Sequence, residues 1–208
     1  MLEALMKRSY QKICVDSLVR WIGYRISPIT VTLFAGIFGI LFIPCLLTGH
    51  LIFAGFLLLL SGYLDTLDGA LARYQNNSTP LGSVLDIMTD RLVEFSVIFG
   101  FYWVDPTQRS LAVIVMLGSI LLCITSFLVV GIFTPNHSSK SFHYSPGLIE
   151  RAEAFLFFIV MIFVPYYFTF FAFLFATLVA LTALIRLWQF SKTQTGADRL
   201  LVGRERAE

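Results

Sequence analysis

Asp65-Thr66-Leu67-Asp68-Gly69-Ala70-Leu71-Ala72-Arg73, then eight residues, then Gly82-Ser83-Val84-Leu85-Asp86-Ile87-Met88-Thr89-Asp90 is the stretch that decides the fold. It sets four aspartates at helical spacing inside the most hydrophobic part of the chain. An ionised side chain in lipid costs several kcal/mol unless something compensates it, so these acids demand a partner that function would supply.

The surrounding chain is that lipid-loving context. With 57% hydrophobic and 13% charged residues among 208, it is far from the composition of a soluble domain and reads as a polytopic, all-α membrane helix bundle. A spanning helix needs about 20 apolar residues. Six segments meet or approach that length, near Pro28–Leu47, Leu51–Arg73, Leu81–Val104, Leu111–Phe133, Leu148–Pro165 and Tyr166–Phe190. Ser27-Pro28 is a helix-start signal, Ser as a cap and Pro in the first turn. Gly36 and Gly39 would let a neighbouring backbone come close. The first apolar run begins too late and runs too long for a cleavable signal peptide.

Lys7, Arg8, Lys12, Arg20 and Arg25 precede the first span, and Lys192, Arg199, Arg204 and Arg206 follow the last. The positive-inside rule then puts both termini, and with them the aspartate end of the bundle, in the cytoplasm. Three regions follow: 1–26 as a cytoplasmic or interfacial helix, 27–190 as the transmembrane domain, and 191–208 as a basic tail. Residues 3–24 interleave basic groups with Leu5, Ile13, Val15, Leu18, Val19 and Trp21, a pattern for an amphipathic helix on an anionic leaflet or for a solvated tail. The formal charge of +2 gives no support for nucleic-acid binding. Cys14, Cys45 and Cys123 have no metal-ligand spacing and read as small core hydrophobes.

At about 100° per residue, Asp65, Asp68, Gly69, Ala72 and Arg73 share one helix face, and Gly82, Asp86 and Asp90 share another. The short connection 74–81 makes the two helices antiparallel neighbours, so the carboxylates can converge. Four clustered carboxylates repel one another, and divalent cations relieve that repulsion. A donor set of oxygens without His or Cys selects Mg²⁺ or Mn²⁺ over zinc, and the four acids suffice for two ions with positions left for phosphate. Arg73 adds a charge-assisted phosphate contact beside the small Gly69 and Ala72.

The pattern Asp-x-x-Asp-Gly-x-x-Ala-Arg, eight residues, Gly-x-x-x-Asp-x-x-x-Asp resembles the signature of the CDP-alcohol phosphotransferase family at every fixed position. Ser27-Pro28-Ile29-Thr30-Val31-Thr32 looks like that family's opening of the first span, and the six-helix plan matches. The resemblance implies a membrane transferase, usually a homodimer, that moves a substituted phosphate from CDP-diacylglycerol to a small alcohol and releases CMP. By the same resemblance Asp65, Asp68, Asp86 and Asp90 bind two divalent cations, and Asp90 is also the general base. Ser27, Pro28, Ile29, Thr30, Gly69, Arg73 and Thr79 hold the CDP donor.

Leu85-Asp86-Ile87-Met88-Thr89-Asp90-Arg91 and Gly147-Leu148-Ile149-Glu150-Arg151 are most similar to the branch that makes phosphatidylinositol phosphate and related inositol lipids. That branch resembles others in carrying Lys-x-Arg late in the fourth span, for an acceptor's phosphate. This chain has Val129-Val130-Gly131 there. Inositol, inositol phosphate and glycerol 3-phosphate therefore stay open as acceptors, with Arg91, Glu94, Lys140, Glu150, Arg151 and Arg186 as candidate contacts. Glu94 also reads as an interhelical hydrogen-bonding residue, and Glu150, Arg151 and Glu153 as a helix start. The rival class is a cation-binding transporter. Against it, the acids gather at one end, and Gly69, Ala72 and Arg73 have no use in cation passage.

Overall fold

A chain whose apolar segments are punctuated by Pro, Gly and short polar turns forms helices and little else. The computed structural model describes residues 15–134, 148–149 and 151–205. Its helices are α1 (Asp16–Ile22), α2 (Pro28–Leu47), α3 (Leu51–Tyr74), α4 (Pro80–Val104), α5 (Pro106–Phe133), α6 (Arg151–Phe163) and α7 (Phe168–Glu205), with a 3₁₀ turn at Pro165–Tyr167 between the last two.

Among the described residues four helical segments are long and apolar enough to cross a bilayer: Pro28–Leu47, Leu51–Tyr74, Pro106–Phe133 and Pro165–Lys192. Two of the six expected spans fall outside that set for different physical reasons. Helix α4 has the length but carries Asp86, Asp90, Arg91 and Glu94 along its length, and α6 is 13 residues long. The fourth expected span begins earlier than Leu111, because Asp105 caps α5 and Pro106 occupies its first position. Helix α7 runs on past Phe190 to Glu205, 38 residues or about 57 Å, longer than the hydrocarbon core alone requires. Ser27 holds the position before α2 with extended backbone, yet its side chain makes no capping bond. Of the expected N-terminal helix, residues 1–14 lie outside the described part, including Cys14.

Helix α2 is the hub of the site-bearing half. It packs along both α3 and α4, whereas α3 and α4 touch each other little, so the acid-bearing helices are not the close neighbours that their short connection suggested. Glycine makes this possible. A Cβ at Gly36 would come within 3.0 Å of Thr89 Cγ2, and one at Gly39 within 2.5 Å of Val93 Cγ2. On the other side of α3, Gly62 receives the ring of Phe155 from α6, with Cε1 only 2.9 Å from where a Cβ would be.

Two apolar clusters result among the described residues. The larger one joins Phe42, Phe101, Phe158, Phe168 and Phe175 across α2, α4, α6 and α7. The smaller one packs Val15 and Val19 of the N-terminal segment on Val31, Leu67, Ala70 and Leu71, which anchors α1 at the acid end. Gln75 closes that end by donating to the carbonyls of Gly23 and Ile26 at 2.8 and 2.9 Å. Between the clusters Thr32, Ser61 and Asp68 form a buried polar layer. Large apolar side chains such as Ile52, Leu121, Ile132 and Phe170 stay exposed on the outer faces, as a surface solvated by lipid requires.

Candidate metal and active site

The last three turns of α3 and the first three of α4 carry the acids. One oxygen from each of Asp65, Asp68 and Asp86 lies within 4.8 Å of the others. Asp68 is the most buried, and the Thr32 hydroxyl of α2 donates to its Oδ2 while lying 3.2 Å from the Pro28 carbonyl. Such a partner orients a carboxylate and fixes which oxygen remains free.

Asp90 enters through a cation. Arg151, the first residue of α6, sets Nη1 at 2.5 Å from Asp90 Oδ1, and the same Nη1 pairs with Asp65 Oδ2. The contact with Asp90 lacks hydrogen-bond alignment, since Asp90 Oδ1 is buried without a hydrogen-bond partner, and so is Asp65 Oδ1, the oxygen that faces away from that pairing. Arg91 pairs with Glu94 at 2.5 Å and approaches Asp90 Oδ2 at 3.9 Å. The donor set is all oxygen, it includes buried carboxylate oxygens with unmet capacity, and its net charge is strongly negative. These properties fit a hard divalent cation.

The expected donor-binding residues surround the mouth of the site. A Cβ on Gly69 would meet Arg73 Nη1 at 3.5 Å, so the glycine leaves the α3 backbone open beside an exposed guanidinium. Thr79 caps α4 by accepting from the Gly82 amide at 3.1 Å, a structural duty that leaves the residue exposed. Ser27 and Thr30 are exposed at the start of α2, Ile29 is half-buried and Pro28 is buried. Of the candidate acceptor contacts, Arg91, Glu94 and Arg151 gather at the acids, while Lys140 and Glu150 lie outside the described residues. Arg186 is buried between α5 and α7, donating to the Cys123 carbonyl at 2.9 Å and Ser126 Oγ at 3.0 Å over the ring of Phe127.

Sequence reasoning missed the Thr32–Asp68 pairing, although Thr32 stands in the segment already singled out at the start of the first span, one turn after Pro28. It also assigned Arg151 to an acceptor and not to the acids themselves. No local spacing could have revealed either contact, because each joins different helices.

The profile of the CDP-alcohol phosphatidyltransferases matches residues 25–190, which is most of the chain and all of the acid-bearing region. The chain belongs to the CDP-alcohol phosphatidyltransferase family. Among its relatives, the inner membrane protein YnjF of Escherichia coli is 36% identical over 170 residues, 78% of this chain and 82% of that one. The phosphatidylinositol phosphate synthase of Mycobacteroides abscessus is 30% identical over 128 residues, 61% of this chain and 57% of that enzyme. The fold is similar to that of Mycobacterium tuberculosis phosphatidylinositol phosphate synthase, solved with CDP-DAG bound: TM-score 0.69 at 21% identity, covering 84% of this chain and 92% of that one. The same enzyme in complex with manganese and citrate gives 0.69 at 20% identity, covering 84% of this chain and 87% of that one.

A member of this family is an integral membrane transferase of phospholipid synthesis. It moves a phosphatidyl group from its CDP carrier, CDP-diacylglycerol, to an alcohol, and its aspartate cluster offers the oxygen donors that a divalent metal takes. The rival reading as a cation transporter falls with this assignment.

Proposed function

We propose that Asp65, Asp68, Asp86 and Asp90 hold two divalent cations, Mg²⁺ or Mn²⁺, at the cytoplasmic end of a six-span bundle that works as a homodimer. The observation that carries this reading is the convergence of three carboxylates within 4.8 Å with Asp90 joined to Asp65 through one guanidinium. Cations bound there would polarise the phosphate next to the lipid as Lewis acids.

The chain's own residues do the rest. Arg73 holds the diphosphate by charge-assisted bonds, and Gly69 lets it approach the α3 backbone. Thr79 and the segment from Ser27 to Thr30 flank the nucleotide. Asp90 takes the proton of the acceptor hydroxyl while the oxygen attacks the lipid-linked phosphorus and the bond to CMP breaks. The acceptor is a small polar alcohol of the polyol kind. The naming of several relatives as phosphatidylinositol phosphate synthases favours inositol phosphate, with Arg91 and Arg151 nearest to supply charge, whereas Val129-Val130-Gly131 weighs toward an unphosphorylated polyol. Helix α1, which carries Arg20, lies on the inner leaflet.

The test is labelled CDP-diacylglycerol with inositol, inositol phosphate, glycerol 3-phosphate and serine as acceptors, following CMP release. Asp90→Asn is expected to keep donor binding, measured as thermal protection by CDP with Mn²⁺, while losing turnover. Near-normal turnover in that variant would remove Asp90 as the base.

A further inference from the structure

A cation is out of place in the first turn of a helix, where the peptide dipoles favour negative charge. Arg151 sits there nonetheless, and three features deliver its side chain to the acids. Phe155, one turn on, lies under the guanidinium at 5.5 Å. That ring is in turn seated in the notch at Gly62, three residues before Asp65. The Arg151 side chain is about three-quarters covered, at 24% exposure, with Nη1 against both Asp65 Oδ2 and Asp90 Oδ1.

Those two oxygens belong to the carboxylates already assigned to metal, so the guanidinium and a divalent cation claim the same ligands. We infer that Arg151 is a displaceable counter-ion that competes with a divalent cation for Asp65 and Asp90, so that metal loading drives the guanidinium off the carboxylates. This rests on the metal reading of the acids. The competition has two consequences. Arg151 compensates part of the clustered negative charge by itself, and it lowers the affinity of the Asp65–Asp90 side of the site for metal. Because the two occupants exclude each other, the linkage is reciprocal: the factor by which the Arg151 contact weakens metal binding is the factor by which bound metal weakens that contact.

The experiment uses the full chain in detergent micelles after chelation, with Mn²⁺ as the probe, free Mn²⁺ being read by electron paramagnetic resonance. Arg151→Gln is expected to tighten the weaker Mn²⁺ site by about tenfold, toward the lower end of the usual range for coupled ligands. A second measurement needs no variant. Phenylglyoxal modification of wild-type Arg151, read by peptide mass spectrometry with the exposed Arg73 as internal reference, is expected to rise when Mn²⁺ is added. Unchanged or weaker Mn²⁺ binding in Arg151→Gln overturns the inference, and so does modification that stays level or falls with Mn²⁺. Should the variant fail to fold, the modification result decides. Mn²⁺ binding that Asp68→Asn abolishes upholds the metal reading whatever Arg151 does. A wild-type chain that binds no Mn²⁺ overturns both.

Discussion

Replacing Gly39 by Ala tests whether the site depends on how closely α2 and α4 approach. The added Cβ would lie 2.5 Å from Val93 Cγ2, 2.8 Å from Cγ1 and 3.1 Å from Cβ. Carbon atoms in contact sit about 3.5–4.0 Å apart, so the helices must part by about 1 Å locally. Val93 cannot relieve the clash by turning, because a β-branched side chain in a helix has essentially one comfortable rotamer. Overpacking of this size costs about 1–3 kcal/mol. The functional cost should be larger in proportion. Asp90 is one turn before Val93 on the same helix and Asp86 two turns before, so the displacement moves both relative to Asp65 and Asp68. A misplacement of about 1 Å in a reacting constellation lowers turnover by about 100-fold.

Three measurements check this: melting temperature in micelles, Mn²⁺ affinity, and CMP release from CDP-diacylglycerol across the acceptor panel. Gly39→Ala is expected to lower all three. Val93→Ala removes the two nearest clashing atoms, so the double variant should recover most of the lost turnover, with a coupling energy of about 1–2 kcal/mol. Gly118→Ala on α5 is the control, since a Cβ there meets nothing within 4 Å. It should be neutral, or stabilise by up to about 1 kcal/mol. If Gly39→Ala keeps wild-type turnover and stability, or if Val93→Ala fails to rescue it, close α2–α4 packing does not set the geometry of the acids.

Two further outcomes follow from single contacts. Thr32→Val keeps the volume but removes the donor to Asp68 Oδ2, and the loss of a partner of this kind typically weakens metal binding by about 10–100-fold. Mn²⁺ titration should show the loss in Thr32→Val and not in Thr32→Ser, and equal affinities in all three proteins would remove Thr32 from the site. At the opposite end of the bundle, the Gln108 amide and then the Thr107 hydroxyl hold the Asp105 carboxyl below its ordinary value. A depressed pKa means that the charged form contributes stability above the unfolded-state pKa, and that this is lost as pH falls through the folded one. Asp105→Ala should therefore melt below wild type at neutral pH, with the gap narrowing in acid. A gap that is constant or widens on acidification would contradict the cap.

Much of this protein is local in origin. The apolar runs, Pro28, Pro80, Pro106 and Pro165 near helix starts, and the tight turn at Gly49 with its positive φ of 79° all act through a few neighbouring residues. A reading of the chain finds them for that reason. The same holds for the stripe of Asp65, Asp68, Gly69 and Arg73, because helical periodicity alone puts them on one face. Where the reading stopped short, it inferred tertiary contact from connection length. The link from Tyr74 to Leu81 suggested that α3 and α4 pack side by side. The glycines of α2 instead let that helix take up the contact with both.

By itself the sequence determined that this is a lipid-embedded helical bundle with four acids at one end, that those acids suit hard cations, and that the pattern resembles one transferase family. Those conclusions follow from hydrophobicity, from the cost of charge in an apolar medium and from i, i+3 and i, i+4 spacing. Tertiary structure alone decided which oxygens are free: Thr32 takes one oxygen of Asp68, and Arg151, 86 positions after Asp65 and 61 after Asp90, spans those two acids. Such pairings depend on how closely helices approach at Gly36, Gly39 and Gly62, a property of the packed bundle that no single helix encodes.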